Sequence, residues 1–206
     1  MFKQILFDCG GVFVENRTVA LMEKITGSRK LAEFFMERIY LDDSPWPVLY
    51  DSGLIGKEEC TRRLIELIPE VEAAHIELYM KEWPKWQFPL PTMTRMVRDV
   101  HKAGLKCYLL SNYSCQYEEF REYSKVLNGM DGEVVSYRTG FAKPDLRIFR
   151  HAAEVLKLEP SETLFVDDKE ENVRAAAEVG YQTYLFRDPY EFRRYLQKHG
   201  LNIKGE

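Results

Sequence analysis

The chain has 206 residues, 45% of them hydrophobic, and a formal net charge of −4. That length fits one large domain or a core domain with a modest second module, and the apolar fraction suffices for a full hydrophobic core. The mild acidity argues against a nucleic-acid partner, which needs a basic surface, and no apolar run approaches the roughly 20 residues of a transmembrane helix, so no membrane partner is expected. Cys9, Cys60, Cys107 and Cys115 form no close pair of the metal-ligand type. Reduced thiols, and an N-terminus that reaches Asp8 too soon for a signal peptide, point to the cytoplasm.

In chain order, residues 3–7 read as a first strand, and Gly10-Gly11 permits a sharp turn close to a bound ligand. Val12-Phe13-Val14 resumes an extended pattern, as one arm of a small hairpin. From about 17 to 86 the pattern is helical. Leu21, Met22 and Ile25 share a face, as do Leu31, Phe34, Phe35 and Ile39, and a second pair spans 57–68 and 71–83 around Pro69. From Thr92 onward helix and strand alternate: a helix bearing Met93, Met96, Val97 and Val100, a strand over 105–110, a helix around 148–156, a strand over 164–166, a helix over 172–178, a strand over 183–186 and a C-terminal helix with Phe192, Tyr195 and Leu196. This alternation predicts an α/β fold, a doubly wound, Rossmann-like parallel sheet with right-handed crossovers. The helical block interrupts it after the first strand. The expected organisation is therefore a core of residues 1–16 and 87–206 with an inserted helical cap over 17–86.

Four short segments carry the chemistry: Ile5-Leu6-Phe7-Asp8, Leu109-Leu110-Ser111-Asn112, Ala142-Lys143-Pro144-Asp145 and Leu164-Phe165-Val166-Asp167-Asp168. Three are apolar runs of the buried parallel-strand type, each ending in a small polar or acidic residue. The other sets a lysine before a proline that can open a helix. Ligands of open α/β sheets bind outside the carboxyl ends of the strands, so these end residues converge on one crevice. Asp8 there can attack phosphorus and form an aspartyl-phosphate, or simply cap the following turn. Asp167-Asp168 can hold a hard cation such as Mg²⁺ and also cap a helix. Ser111 and Asn112 offer donors to a phosphate oxygen, and Lys143 spans phosphate and carboxylate. A serine triad is the rival, but His75, His101, His151 and His199 lie in no recognisable base motif.

These ordered motifs resemble those of the haloacid dehalogenase-like hydrolases, in the branch with a helical cap after the first motif. The resemblance covers nearly the whole chain. It implies Asp8 as nucleophile and Mg²⁺ ligand, Asp168 as a second ligand and the Gly10 carbonyl as a third, with Asp167 and Asn172 around the metal. It places Ser111, Asn112, Gly11 and Lys143 at the phosphate of a small phosphorylated metabolite. The family's usual acid/base aspartate, two residues after the nucleophile, is Gly10 here. A positioned acid–base group is worth about 10²–10⁴-fold, so proton transfer is what this change affects. Three readings follow: a substrate whose leaving group needs little protonation, such as a sugar 1-phosphate; a proton from a cap residue, water or the substrate; or a slow or inactive relative that binds phosphorylated ligands. The Asp-x-Gly-Gly/Asn-Val form and the segment Tyr50-Asp51-Ser52-Gly53-Leu54-Ile55-Gly56-Lys57-Glu58-Glu59 are similar to a subset that includes an α-glucose-1-phosphate phosphatase, which favours a sugar phosphate. A dehalogenase also lacks the second aspartate but needs no cation, which the Asp167-Asp168 pair speaks against. In the cap, Pro45-Trp46-Pro47 is stiff and non-helical, placing Trp46 on a loop facing the crevice, where its ring can pack on a sugar. Trp83 and Trp86 are read as packing cap against core.

Overall fold

A computed structural model describes residues 2–203. Met1 and residues 204–206, at the two ends of the expected core, lie outside the described residues. The chain runs through β1 (Gln4–Phe7), β2 (Val14–Asn16), helices α1 (Thr18–Thr26), α2 (Arg29–Ile39), α3 (Lys57–Leu67) and α4 (Ala73–Glu82), and then β3 (Gln87–Pro89). It continues with α5 (Pro91–Lys102), β4 (Lys106–Ser111), α6 (Tyr117–Tyr123), β5 (Gly132–Val135), α7 (Leu146–Leu156), β6 (Thr163–Asp167), α8 (Glu170–Val179), β7 (Gln182–Leu185) and α9 (Pro189–Lys198).

Among the described residues, one sheet has the strand order β5-β4-β1-β6-β7, with every pair parallel. β1 is central, and Ile5, Leu6 and Phe7 are fully buried, because helices cover both faces. Ile5 and Phe7 join one apolar cluster, while Leu6 joins the other with Leu110, Phe165, Ile148 and Phe149. The first cluster runs on into the inserted helices through Phe35, Tyr50, Tyr79 and Trp83. The order reverses at β1, so the crevice outside the carboxyl ends of β4, β1 and β6 is a topological switch point.

The extended arm after Gly11 does not fold back as a local hairpin. Residues 9–13 form a turn, in which the Phe13 N–H donates to the Cys9 carbonyl at 2.8 Å. β2 then pairs antiparallel with the distant β3, through Val14–Pro89, Glu15–Phe88 and Asn16–Gln87. The two strands that enter and leave the helical insertion are thus zipped together at its base. Trp46 also departs from expectation. Residues 46–50 form a wide helical turn in which the Asp51 N–H donates to the Trp46 carbonyl at 3.1 Å, and the Trp46 side chain is almost wholly buried against Tyr50 and Trp83. Pro47 sits in the first turn of this helix, where its missing N–H costs nothing.

Candidate active site

Three strand ends deliver the central side chains. Asp8 follows β1, Ser111 closes β4 and Asp167 closes β6, and the loop before α7 brings Lys143 between them. The Lys143 ammonium is buried; its Nζ lies 2.8 Å from Asp8 Oδ1 and 2.7 Å from Asp167 Oδ2, and donates to the Leu110 carbonyl at 2.9 Å. Its backbone is clasped by Asn112: the Lys143 N–H donates to Asn112 Oδ1, and Asn112 Nδ2 donates to the Lys143 carbonyl, both at 2.8 Å. Asp145 caps α7 by accepting the Arg147 N–H at 2.8 Å, so the helix opens at Leu146, just beyond the proline.

Asp8 Oδ1 also accepts the Cys9 N–H at 2.7 Å, while Oδ2 has no donor among the described residues. Asp167 is saturated. Its Oδ1 accepts the Lys169 N–H at 2.9 Å, and both oxygens accept from Asn172 Nδ2 at 3.0 Å. Asp168 is half-buried and faces the Gly10-Gly11 turn. Gly11 has φ +71°, and a Cβ there would collide with the Asp168 carboxylate; only glycine gives both that conformation and that approach. The Gly11 N–H is spent on the Val14 carbonyl at 2.9 Å. Ser111 is buried, with its Oγ at the crevice and only a 3.4 Å contact to the Asn112 carbonyl.

One cation among three carboxylates leaves the site short of positive charge. Oxygens of Asp8, Asp167 and Asp168 lie within 4.8 Å of one another. Burial pushes the Asp8 carboxyl well above the carboxylate range against the pull of Lys143, and Asp167 and Asp168 add to the rise. Burial would lower the Lys143 ammonium, but Asp167 and Asp8 overcome it and raise it. Asp168 is raised by burial and by Asp167.

The site opens into a cavity of about 790 Å³ whose walls come from both the sheet ends and the inserted helices, including Trp46, Asp51, Tyr79 and Trp83. The joint between them centres on Gln116, a residue the motif pattern does not single out. Gln116 Oε1 accepts from Tyr50 Oη at 2.6 Å and from Trp83 Nε1 at 2.8 Å, and its Nε2 donates to the Met80 carbonyl at 2.7 Å. Trp83 stacks on Tyr113 at 4.9 Å, whereas Trp86 packs edge-on to Phe88 beside the insertion's base.

A family model described as haloacid dehalogenase-like hydrolase matches residues 2–180. The chain is 27% identical over 181 residues to sesquiterpene phosphatase astK of Aspergillus oryzae, covering 87% of each chain. It is 27% identical over 214 residues to D-ribitol-5-phosphate phosphatase of Bacteroides thetaiotaomicron, covering 95% of this chain and 97% of that one. Two solved structures share its fold. One is a HAD-family enzyme of Bacteroides thetaiotaomicron in complex with magnesium and inorganic phosphate (TM-score 0.70, 24% identity, 91% and 95% coverage). The other is an L-2-haloacid dehalogenase (TM-score 0.78, 15% identity, 95% and 99% coverage).

Proposed function

Because the chain belongs to the haloacid dehalogenase-like hydrolase family, we propose that it is a Mg²⁺-dependent phosphomonoester hydrolase working through an aspartyl-phosphate at Asp8, with a small sugar phosphate as substrate. The observation that carries this reading is the buried Lys143 bridge between Asp8 and Asp167 beside a third carboxylate. Such a concentration of acid is costly unless the ligands bring cations and the reaction uses an anionic nucleophile. Full-length relatives that are phosphatases support the phosphoryl substrate. The sugar class rests on the resemblance of the Asp8–Val12 and Tyr50–Glu59 segments and on the ribitol phosphate relative.

The donor set fits a hard divalent cation. Asp8, through the carboxylate oxygen that does not attack, Asp168 and the Gly10 carbonyl are the groups to ligate it, while Asp167, fixed by Asn172 and Lys143, sits behind them. A bound Mg²⁺ would offset the carboxylate charge and polarise the phosphoryl oxygens. Asp8 Oδ1 is held by the Cys9 N–H and Lys143, which turns Oδ2 toward the incoming phosphorus. Ser111 Oγ and Lys143 Nζ bind phosphoryl oxygens. Asn112 acts by holding the Lys143 backbone rather than by touching substrate, and Gly11 by leaving room for Asp168. Residues 17–86 serve as a cap on a core made of 1–16 and 87–206, with the β2–β3 pair at the junction and Trp46 in the cavity wall. No helix among the described residues is long and apolar enough to cross a membrane.

A phospho-ligand-binding protein with little turnover is the second reading, favoured by Gly10 alone. Phosphate release from a panel of sugar phosphates and an aryl phosphate, with and without Mg²⁺ and beside Asp8→Asn, decides between them. Release that requires both Mg²⁺ and Asp8 upholds the hydrolase; release no greater than that of Asp8→Asn across the panel leaves the binding protein.

A further inference from the structure

We propose that Asp51, on the inserted helical segment, is the acid and base of this reaction, taking the place of the aspartate that Gly10 lacks. The assignment rests on the phosphatase reading above. Asp51 lines the same cavity as Asp8, Ser111, Lys143 and Asp168, and reaches it from the inserted segment. Its main chain is clamped from both sides. The Asp51 N–H donates to the Trp46 carbonyl at 3.1 Å, and its carbonyl accepts from Ser136 Oγ, which sits in the loop after β5. Two residues on, Gly53 (φ +74°) lies so close to the Tyr137 carbonyl that no Cβ fits. The cap is therefore pinned to the core at the residue that projects this carboxyl.

The carboxyl itself is unspent. It has no hydrogen bond or ion pair among the described residues. Burial pushes it up to about 7, with Lys169 drawing it part of the way back. An acid that holds its proton near neutral pH and gives it up readily suits both halves of the reaction. Other candidates on the wall fit less well. Glu15, Tyr40, Asp42 and Glu171 are exposed to solvent, and burial pushes the phenol of Tyr79 up, which makes it a weaker acid. None of the four histidines lines the cavity.

In the first half, Asp8 Oδ2 forms a bond to phosphorus as the bond from phosphorus to the alcohol oxygen breaks. That oxygen takes the electron pair and the Asp51 proton, leaving as alcohol. In the second half, the Asp51 carboxylate takes a proton from water as the water oxygen bonds to phosphorus. The phosphorus–Asp8 bond breaks, returning the Asp8 carboxylate and releasing inorganic phosphate. Alcohol and phosphate are formed from ester and water, and Asp51 ends as it began.

The test uses leaving groups of different basicity in single-turnover mixing with Mg²⁺. p-Nitrophenolate leaves without a proton, whereas the alkoxide of ribitol 5-phosphate needs one. Asp51→Asn should lose about 10²–10⁴-fold in cleavage of the alkyl ester while keeping the p-nitrophenol burst within about threefold of wild type. Its second half should be slow with either ester. Asp51→Glu, which keeps an acid on the same backbone, should recover at least about tenfold over Asp51→Asn on the alkyl ester. Equal loss on both esters in the burst, loss on the alkyl ester below about threefold, or no recovery in Asp51→Glu would overturn the assignment and leave the phosphatase reading standing. A wild type that cleaves neither ester in an Asp8-dependent way would overturn both.

Discussion

Replacing Lys143 with methionine keeps most of the side-chain volume and removes the one ammonium that bridges Asp8 and Asp167. Lys143 is 1% exposed at its side chain, Asp167 0% and Asp8 10%, so neither carboxylate can turn to water instead. Breaking a buried ion pair by deleting one partner costs about 3–5 kcal/mol. An independent route gives a similar figure: losing a cation within contact distance lifts a carboxyl by about 1–3 pKa units, or roughly 1.4–4 kcal/mol. The sign with pH follows from Asp8, whose folded-state carboxyl already lies above its unfolded value. The unfolded chain releases that proton first, so stability falls as pH rises from about 4 through the folded value, and Lys143→Met moves that upper limit further up. At pH 5 the share of the loss that comes from Asp8 is smaller, while the lost contact to Asp167 and the orphaned Leu110 carbonyl, about 1–3 kcal/mol for the latter, remain. Urea unfolding in EDTA at pH 5 and pH 8 reads the difference directly. The expected result is a loss of about 3–5 kcal/mol at pH 8 that is measurably smaller at pH 5. A loss below about 1 kcal/mol at pH 8, or one independent of pH, would refute this account of the charges.

Asn172→Ala removes both amide contacts to Asp167, and a second-sphere loss of this kind should raise the Mg²⁺ concentration for half-maximal activity by about 10–100-fold, as a Mg²⁺ titration of phosphate release would show. Gly11→Ala forces a Cβ onto the Asp168 carboxylate at a positive φ; calorimetric Mg²⁺ titration should find binding weakened by at least about tenfold, with a stability loss of about 1 kcal/mol or more. Gln116→Leu strands the Tyr50 hydroxyl, the Trp83 indole N–H and the Met80 carbonyl, at about 1–3 kcal/mol each where water cannot reach them; chemical denaturation should report a loss of at least about 2 kcal/mol.

The parts of this molecule that can be read from sequence are those whose physics is local. β1, β4 and β6 are buried on both faces, so each is a short apolar run, and each ends where backbone meets ligand; that alone puts Asp8, Ser111 and Asp167 at one crevice. β5 leaves no such mark, because it is a four-residue edge strand opening with Gly132 and Glu133. α6 is seven residues long and carries Glu118 and Glu119 in its first turn, too short for a clear apolar period. The apolar arm at 12–14 suggests a hairpin, since antiparallel partners are usually near in sequence, yet its partner arrives only after the whole helical insertion. Trp46 between two prolines reads as a stiff loop, but Pro47 falls in a first helical turn and the indole packs inward. Gln116 escapes motif reading because its partner Tyr50 lies 66 positions away, and Asp51, though inside a cap segment the sequence singles out, shows no role there because the core contact of its carbonyl, at Ser136, lies 85 positions away. An amide and a cap carboxyl gain meaning only when the insertion folds down on the core.

The central claim is that Asp8 carries the phosphoryl group. Mixing protein, Mg²⁺ and the best substrate from the panel, quenching in acid during turnover and reducing with borohydride converts an acyl phosphate at Asp8 to homoserine, which peptide mass spectrometry reads at position 8. The account predicts homoserine there in the presence of Mg²⁺, none in its absence, and none in any other acidic residue. An unmodified Asp8 throughout turnover, with phosphate still being released, would contradict it.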